Sequence, residues 1–559
     1  MPARRWWLVA SLLVVAACFD AGPRAVGAQP SWRNAGPVVA ASPSVFAPSG
    51  QAVVRYNDPP PPVSANPLGD AVYATVRDAA TRGHFPVPTP DARLERACEE
   101  LAAVVDENSA VPYALVEFAL QRNGIVEPSP HLLVVWGDVS APQAIAEQLA
   151  PRLPEYLQEG ATRVAVGAVK RKADGTGVVV FALQGSYVTT APIPRSVPRG
   201  GSFPIDAQID ARYHDPEVFV TSGDGVTDRI ALHASRLSAD PNAFHVDVPC
   251  GSQVGRQQVE INGVDARGAT VLANFPVWCG TEPPPSLALD SPDEAPISPE
   301  AAEAMLLALL NRDREKAGLP ALVLDPRDAA VARAHSAEMQ RTHVVAHISP
   351  TTGSAADRVR AAKINTAVIL ENVARAYSVS EAHQGLMNSP GHRANMMSSA
   401  ATHVGIGVVF GELDAGRREL FITQVFTRIS PKVDPLATGA MVLGKMVRVR
   451  PGILHDPALD VIAVKLANEL AEGVPRDTAD ADCRGLLEQL ATKYMRVGSV
   501  VVVSAEPSTV KPEDMFGDVQ PNSVGIGIAQ GPHPEMGDNA VFVVSVTAQT
   551  RSNTAHAGE

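Results

Sequence analysis

The stretch Thr402-His403-Val404-Gly405-Ile406-Gly407 decides how this chain is organised, because its pattern occurs three times. The other two copies are Thr162-Arg163-Val164-Ala165-Val166-Gly167 and Asn522-Ser523-Val524-Gly525-Ile526-Gly527. Each copy is followed by a charged or Gly-rich turn and then by an apolar strand, which contains Phe181, Phe421 or Phe542. This order predicts one β-hairpin that the chain uses three times.

A helical pattern precedes each hairpin and carries a matching pair of an acidic and an apolar residue. The three pairs are Glu100-Leu101, Glu338-Met339 and Glu469-Leu470. We therefore predict three related α/β units, over residues 68–190, 299–428 and 440–550. The repeat is far longer than a solenoid period, so it indicates duplicated domains. A chain of 559 residues is long enough for several domains of this size.

The residues between these units have a different composition. Residues 194–281 contain short apolar runs separated by Gly and Asp turns without a helical period, which predicts an antiparallel β-sandwich. Residues 29–66 and 282–298 are rich in proline, and they are expected to form an extended leader and a linker. Cys250 and Cys279 lie 29 residues apart in the sandwich segment and are expected to form a disulfide. For Cys98 and Cys483, buried free thiols are favoured over a long-range bridge.

Charge excludes one class of function. The chain has 47 Lys and Arg against 60 Asp and Glu, a net charge of -13. Long-range attraction to nucleic acid or to an anionic membrane surface is therefore not expected, and nucleic acid is not expected as a partner.

The N-terminus is typical of an exported protein. Arg4 and Arg5 precede an apolar stretch, residues 6–19, that is too short to span a bilayer, and small residues follow it. We expect a signal peptide over residues 1–28, cleaved after Ala28. The alternative is a lipobox, Val15-Ala16-Ala17-Cys18, in which Cys18 becomes a lipid anchor. No other segment approaches the roughly 18 apolar residues that a transmembrane helix needs.

The unit at 299–428 carries a series of ordered motifs and resembles a known family. The motifs, in order, are Leu310-Asn311-Arg312, Ala317-Gly318-Leu319, Ala334-His335, Ala346-His347-Ile348-Ser349-Pro350, Glu371-Asn372-Val373-Ala374, Ser389-Pro390-Gly391-His392-Arg393 and Val404-Gly405-Ile406-Gly407. They are similar to those of bacterial CAP-superfamily domains, the relatives of cysteine-rich secretory proteins and plant pathogenesis-related proteins. The resemblance implies an α-β-α sandwich, an extracytoplasmic location and a cleft lined by His and Glu side chains.

Carried over residue by residue, the resemblance implies that His347, Glu371 and His392 line the cleft. Animal and plant members use two His and two Glu, whereas the helix end that usually holds the second Glu reads Met387-Asn388-Ser389 here. The late strand has Thr423-Gln424 without a preceding histidine. We therefore expect His392 to stand in for the late histidine, and we expect Pro390 and Gly391 to break the helix before it.

Two chemistries suit these three residues. Two neutral imidazoles and one carboxylate are a ligand set for a divalent metal, with Zn²⁺ favoured. Alternatively, Glu371 and a histidine act as general base and acid on water. The unit has no cysteine, no Gly-x-Ser-x-Gly elbow and no His-Glu-x-x-His motif, so it offers no other nucleophile or zinc motif. The competing interpretation is structural: Glu371 accepts backbone N–H groups and His392 caps the broken helix.

The two outer units lack counterparts of the His347, Glu371 and His392 motifs, so they are expected to serve as scaffold or binding surface. The sequence therefore predicts a secreted CAP-domain protein that binds a small ligand or divalent metal and is presented to an envelope or extracellular partner. Two alternatives remain open: a hydrolase acting on peptide or glycan, and an adhesive protein without catalysis.

Overall fold

The computed structural model describes residues 44–60, 62–63, 65–105, 111–235, 238, 240–251, 253–289, 298–414, 417–429, 432–517, 520–534 and 536–551. The predicted signal peptide and Cys18 lie outside the described residues. Within these residues the chain folds into α-helices and β-strands, and the strands form several separate sheets.

The predicted leader is more ordered than expected. It contains two short strands, β1 (Ser44–Phe46) and β2 (Arg55–Tyr56). Tyr56 is completely buried, and its hydroxyl donates a hydrogen bond to the carbonyl of Pro276 at 2.7 Å. This part of the predicted leader is therefore packed against the fold and contributes to a core. Polyproline composition favoured an extended chain, but an extended chain can still pair with a strand and bury an aromatic ring.

The first unit, residues 67–184, contains five α-helices and one four-stranded sheet in its described part. Its elements are α1 (Pro67–Gly83), β3 (Thr89–Pro90), α2 (Ala92–Val104), α3 (Tyr113–Arg122), β4 (His131–Asp138), α4 (Pro142–Leu149), α5 (Leu153–Gln158), β5 (Arg163–Lys170) and β6 (Thr176–Gln184). The strand order in the sheet is β3-β5-β6-β4, with β3 parallel to β5.

The two-sheet unit, residues 188–279, follows it. Its strands are β7 (Val188–Thr190), β8 (Ile193–Pro194), β9 (Ser196–Val197), β10 (Ser202–Ile209), β11 (His214–Thr221), β12 (Thr227–Ile230), β13 (His233–Ala234), β14 (Ala243–Pro249), β15 (Gly255–Asp265) and β16 (Gly268–Cys279). Two sheets, β13-β14-β10-β7 and β12-β11-β15-β16-β9, contribute to one apolar core.

Two details of this unit bear on the predicted boundaries and cysteines. Strand β7 pairs with β10, so the first unit ends before residue 190, the predicted limit. Cys250 and Cys279 form a disulfide with 5.5 Å between their Cα atoms, which confirms the predicted pair. Cys98 and Cys483 are free and buried.

In the predicted linker, β17 (Leu287–Leu289) pairs antiparallel with β1.

In the part of the middle unit that the structure describes, residues 298–414 and 417–429, there are five helices and a four-stranded sheet. Its elements are α6 (Pro299–Lys316), β18 (Val323–Leu324), α7 (Pro326–Thr342), α8 (Ala355–Ala361), β19 (Ile369–Ala376), α9 (Val379–Asn388), α10 (Pro390–Met396), β20 (His403–Asp414) and β21 (Arg417–Thr427). Helix α9 ends before Pro390, as expected. Pro390 then begins α10, because proline fits the first turn of a helix, and His392 lies on this new helix.

The last unit, residues 435–550, starts five residues before the predicted limit. Its elements are α11 (Pro435–Val449), β22 (Leu454–His455), α12 (Pro457–Ala471), α13 (Arg476–Asp482), α14 (Arg484–Gln489), β23 (Tyr494–Ser504), β24 (Ser523–His533) and β25 (Gly537–Thr550). Within the described residues, no helix combines the length and the apolar character that crossing a membrane requires.

The sheets of the first, middle and last units share one strand order. The orders β3-β5-β6-β4, β18-β20-β21-β19 and β22-β24-β25-β23 each place a short parallel strand beside the repeated hairpin. The glycines of the hairpin explain its sequence. A Cβ on Gly407 would lie 2.1 Å from the backbone nitrogen of Arg333, and one on Gly405 would lie 2.0 Å from the carbonyl carbon of Asp328. Helix α7 therefore rests directly on β20, and only glycine allows this approach.

Each of these units also starts its second helix with an aspartate that the sequence analysis missed. Asp91, Asp325 and Asp456 occupy the N-cap positions of α2, α7 and α12, and each side chain accepts at least one hydrogen bond from the first turn. Such caps satisfy backbone donors that a helix end otherwise leaves without partners. The aspartate fixes where the helix begins after the short parallel strand.

Asp328, in the first turn of α7, provides a test of pH dependence. Its side chain is completely buried and accepts a hydrogen bond from Thr427. Burial raises the pKa of Asp328 to about 6, so the folded protein holds this proton more tightly than the unfolded chain does. Stability should therefore fall as pH rises from about 4 to about 6.

We expect Asp328→Asn to raise the free energy of unfolding at pH 7 by about 1–3 kcal/mol, because it removes a buried charge and keeps an acceptor for Thr427. The gain should disappear below pH 4, where Asp328 is protonated in both states. Thermal unfolding of both proteins between pH 3.5 and 8 measures this. A gain of equal size at pH 4 and pH 7 would contradict the assignment.

Candidate functional site

His347 and Glu371 form a hydrogen-bonded pair. His347 lies in the loop after α7, Glu371 lies on β19, and Nδ1 of His347 is 3.0 Å from Oε1 of Glu371. The Glu371 side chain is only 4% exposed, whereas that of His347 is 25% exposed. An ionised carboxylate can only accept, so we assign the proton of His347 to Nδ1. In the neutral imidazole, Nε2 then carries a lone pair, and this atom has no hydrogen-bond partner among the described residues.

Arg358 holds the other side of the Glu371 carboxylate. Its guanidinium forms a buried ion pair with Oε2 of Glu371 and donates to the carbonyl of Gly353 at 2.6 Å. Burial by itself would raise the pKa of Glu371, but the hydrogen bond from His347 and the charge of Arg358 outweigh it and lower the pKa. Glu371 is therefore ionised at neutral pH. No motif in the sequence distinguishes Arg358 from a surface arginine.

His392 lies beside His347. Their ring centroids are 6.2 Å apart and the ring planes are 25° apart, which is a stacked arrangement. Nδ1 of His392 is 2.6 Å from Oγ of Ser389. Burial and the proximity of His347 lower the pKa of His392 to about 3, so this imidazole is neutral at physiological pH.

A network of amides joins the strand of Glu371 to the helix of His392. Asn395 donates to the carbonyl of Glu371 at 3.1 Å and to Oδ1 of Asn372 at 2.9 Å. Asn372 donates in turn to the carbonyl of His392 at 3.2 Å. The fold thus brings His347, Glu371 and His392 together, and we refer to these three residues as the histidine cluster.

A residue that the sequence analysis did not identify reaches the cluster from the two-sheet unit. Glu260, on β15, is completely buried, and its carboxylate accepts hydrogen bonds from Oγ of Ser389 and from the backbone nitrogen of Gly391. Nδ2 of Asn262 donates to it as well, at 3.0 Å. Burial raises the pKa of Glu260, and these three hydrogen bonds act against that effect.

Gly391 permits this contact. A Cβ at this position would lie 2.8 Å from Oε1 of Glu260, so a side chain would displace the carboxylate. The two-sheet unit also binds the loop of His347, since the backbone nitrogens of His347 and Ile348 donate to the carbonyl of Arg267 at 3.0 and 2.9 Å. The histidine cluster therefore lies at the boundary between two units of the chain.

The predicted three-ligand metal site does not fit this arrangement. Both oxygens of Glu371 are engaged, one by His347 and one by Arg358, and a guanidinium at the carboxylate repels a second cation. Among the described residues, no group of three or more His, Cys, Asp or Glu side chains is positioned to hold a metal ion. Glu371 orients His347, a role that carboxylates commonly have next to histidines.

Two other histidines of the middle unit have structural partners. Nε2 of His335 is 2.8 Å from the carbonyl of Ala346, and Nε2 of His383 is 2.7 Å from Oδ2 of Asp313. Burial lowers the pKa of both. Neither side chain belongs to the histidine cluster.

Comparisons with known proteins place this unit in a family. Residues 307–426 match the family described as CAP: Cysteine-rich secretory protein family. The chain is 36% identical over 116 residues to the uncharacterized protein YkwD of Bacillus subtilis (strain 168), which is 21% of this chain and 45% of that protein. It is also 36% identical over 108 residues to the uncharacterized membrane protein YlbC of the same organism, which is 19% of this chain and 31% of that protein. The matches thus span under half the length of these relatives.

Among solved structures, the chain is similar to an extracellular protein containing a SCP domain from Bacillus anthracis. The identity is 21% and the TM-score is 0.22, covering 44% of this chain and 67% of that one. The family match falls on the unit that holds His347, Glu371 and His392. This chain therefore carries a CAP domain of the cysteine-rich secretory protein family at residues 307–426.

Proposed function

We propose that this chain is an extracytoplasmic protein whose CAP domain binds a small ligand through Nε2 of His347 and Nε2 of His392. The observation that carries the proposal is that each imidazole has its Nδ1 atom committed to a hydrogen bond, to Glu371 in one case and to Ser389 in the other. The two rings are 6.2 Å apart, and neither Nε2 atom has a hydrogen-bond partner among the described residues, which suits a ligand that donates hydrogen bonds, such as a hydroxyl or ammonium group.

The exposure of His347 to solvent also supports ligand binding. The His347 side chain is 25% exposed, so a ligand can contact it from solvent. The buried ion pair of Arg358 and Glu371 lies behind it and keeps the imidazole in place. A divalent cation is the other occupant that two imidazoles accept, and Zn²⁺ is the cation of choice for histidine nitrogens. In that case Glu371 would orient a ligand rather than coordinate the metal.

The rest of the chain supports an exported, modular protein. The Cys250–Cys279 disulfide suits an oxidising compartment, in agreement with the predicted signal peptide. The common strand order of the first, middle and last units supports a duplication, in which the outer copies keep the fold without the histidine cluster. In this proposal, the outer copies present the CAP domain to an envelope or extracellular partner.

We expect His347→Ala and His392→Ala each to weaken ligand binding about tenfold or more, because each removes one acceptor from the site. Isothermal titration of the full chain with ZnCl2, polyols and cell-wall fragments measures this, together with metal analysis of the purified protein. His403→Ala is the matched control, since His403 contacts Thr402 at the start of β20 and lies outside the cluster. Binding that is equal in all four proteins would rule out the site, and an adhesive role without a ligand would replace it.

The second candidate function is that of a hydrolase. The Glu371–His347 pair is the one observation that favours it. A carboxylate that holds Nδ1–H leaves Nε2 free to accept a proton from water, which is the arrangement of a general base. Hydrolysis of peptides and cell-wall fragments by the wild-type protein and by Glu371→Gln separates catalysis from binding. Activity that survives this substitution would belong to another site.

A further inference from the structure

Glu260 is buried on the face of β15 where a sheet normally meets solvent. Its neighbours Val259 and Ile261 point into the core of the two-sheet unit, so alternation along the strand directs Glu260 to the opposite face. That face is covered by the middle unit, and Glu260 is 0% exposed. An ionisable group is buried so deeply only where hydrogen bonds replace its hydration.

All three hydrogen-bond partners of Glu260 are groups that can donate. The backbone nitrogen of Gly391 and the amide of Asn262 can only donate, and both contact Oε1 at 3.0 Å. Oγ of Ser389 contacts Oε2. An ionised carboxylate, which has four lone-pair sites and no proton to give, accepts from all three, and in that state the hydrogen of Ser389 is directed to Glu260.

The hydroxyl of Ser389 connects this carboxylate to His392. A serine hydroxyl has one hydrogen and two lone pairs. If the hydrogen goes to Glu260, Oγ must accept from Nδ1 of His392, which lies 2.6 Å away. The proton of the neutral imidazole is then on Nδ1, and Nε2 is an acceptor. Without an ionised Glu260, the hydroxyl would turn toward His392 and leave the proton on Nε2.

We infer that Glu260 is a positioning residue of the histidine cluster, which acts through Ser389 to hold His392 in the tautomer with a free Nε2 lone pair. The inference rests on the proposed function, because that lone pair is one of the two acceptors offered to a ligand. It makes the site a composite one: the CAP domain supplies the imidazoles, and the two-sheet unit sets the protonation pattern of one of them.

The tautomer can be measured directly in the full chain without any ligand. Histidine labelled with 13C at Cδ2 and with 15N distinguishes the Nδ1–H form from the Nε2–H form by NMR, and the loss of one resonance set in His392→Gln assigns His392. We expect the Nδ1–H form in the wild-type protein and a shift to the Nε2–H form in Glu260→Gln. Glu217→Gln, on β11 of the same unit and paired with Arg229, is the control that should leave the His392 resonances unchanged.

Two further variants guard against a general loss of structure. Ser389→Ala should shift His392 toward the Nε2–H form as Glu260→Gln does, whereas Ser389→Thr, which keeps the hydroxyl, should preserve the Nδ1–H form. A wild-type His392 with its proton on Nε2, or a Glu260→Gln protein that keeps the proton on Nδ1, would overturn the inference. A clear tautomer shift with no ligand found in any titration would leave this inference standing and remove the proposed function instead.

Discussion

Replacing Arg358 by methionine should lower the free energy of unfolding of the middle unit by about 3–5 kcal/mol at pH 7, one of the two largest effects that we expect. The side chains of Arg358 and Glu371 are 5% and 4% exposed, so the substitution leaves a carboxylate buried without its cation. Removing one partner of such a pair costs far more than the pair contributes, because the remaining charge cannot return to water.

The loss should depend on pH in a defined direction. In the wild-type protein the lowered pKa of Glu371 gives stability that is present at neutral pH and is lost as pH falls through the folded-state pKa. In Arg358→Met this contribution is absent, and protonation of Glu371 relieves the buried charge. The difference between the two proteins should therefore be largest at neutral pH and smaller near pH 4. A difference that does not change with pH would indicate lost packing rather than lost charge.

The helix of Arg358 provides its own control. Arg360 lies two residues further along the chain and pairs with Asp357 at the surface, where its side chain is 69% exposed. Arg360→Met should change stability by no more than about 1 kcal/mol, as is usual for an exposed ion pair. The double variant Arg358→Met with Glu371→Gln should recover much of the loss, because it removes both charges together. Thermal unfolding and peptide-resolved hydrogen exchange over α8 and β19 measure these differences.

The sequence predicted the features that depend on local spacing. The repeated hairpin could be recognised in the sequence because its glycines recur. Gly405 and Gly407 are needed where α7 packs on β20, and Gly525 and Gly527 are needed where α12 packs on β24. The ordered motifs of the middle unit likewise led to His347, Glu371 and His392, which the fold brings together.

The contacts between units could not be predicted in this way. Glu260 alternates with apolar residues along β15, and that pattern is typical of a strand with one face in water. Only the docking of the middle unit buries it, and no periodicity within residues 255–265 contains information about that surface. The role of Arg358 could not be predicted for a related reason. Its burial depends on the loop of His347, and its guanidinium donates a hydrogen bond to the carbonyl of His347 at 3.2 Å. The polar residues that complete the candidate site are therefore those whose burial is decided by distant parts of the chain.

Gly407→Ala is the second substitution with a large expected effect, a loss of about 3 kcal/mol or more in the middle unit. The added Cβ would lie 2.1 Å from the nitrogen of Arg333 and 2.3 Å from the carbonyl carbon of Ala332. Both atoms belong to the helix backbone, so no side-chain rotation can relieve the contact. Helix α7 has to move away from β20, and the apolar contacts between helix and sheet are weakened with it.

The expected loss of stability is confined to the middle unit, and hydrogen exchange can locate it. Hydrogen exchange of the amides in Pro326–Thr342 should accelerate in Gly407→Ala, while the last unit keeps its wild-type protection. Gly385→Ala is the matched control, because Gly385 lies in α9 of the same unit and its nearest contact would be 3.9 Å away. There alanine should be neutral or should stabilise the protein by up to about 1 kcal/mol through its higher helix propensity.

The same experiment tests whether the last unit is built as the middle unit is. A Cβ on Gly527 would lie 2.1 Å from the backbone of Ala463 in α12, so Gly527→Ala should destabilise the last unit by a similar amount. In that variant the faster exchange should fall on Pro457–Ala471 and leave α7 unchanged. If Gly407→Ala and Gly527→Ala were both tolerated as well as Gly385→Ala, the close approach of helix and strand would not be what the repeated glycines provide.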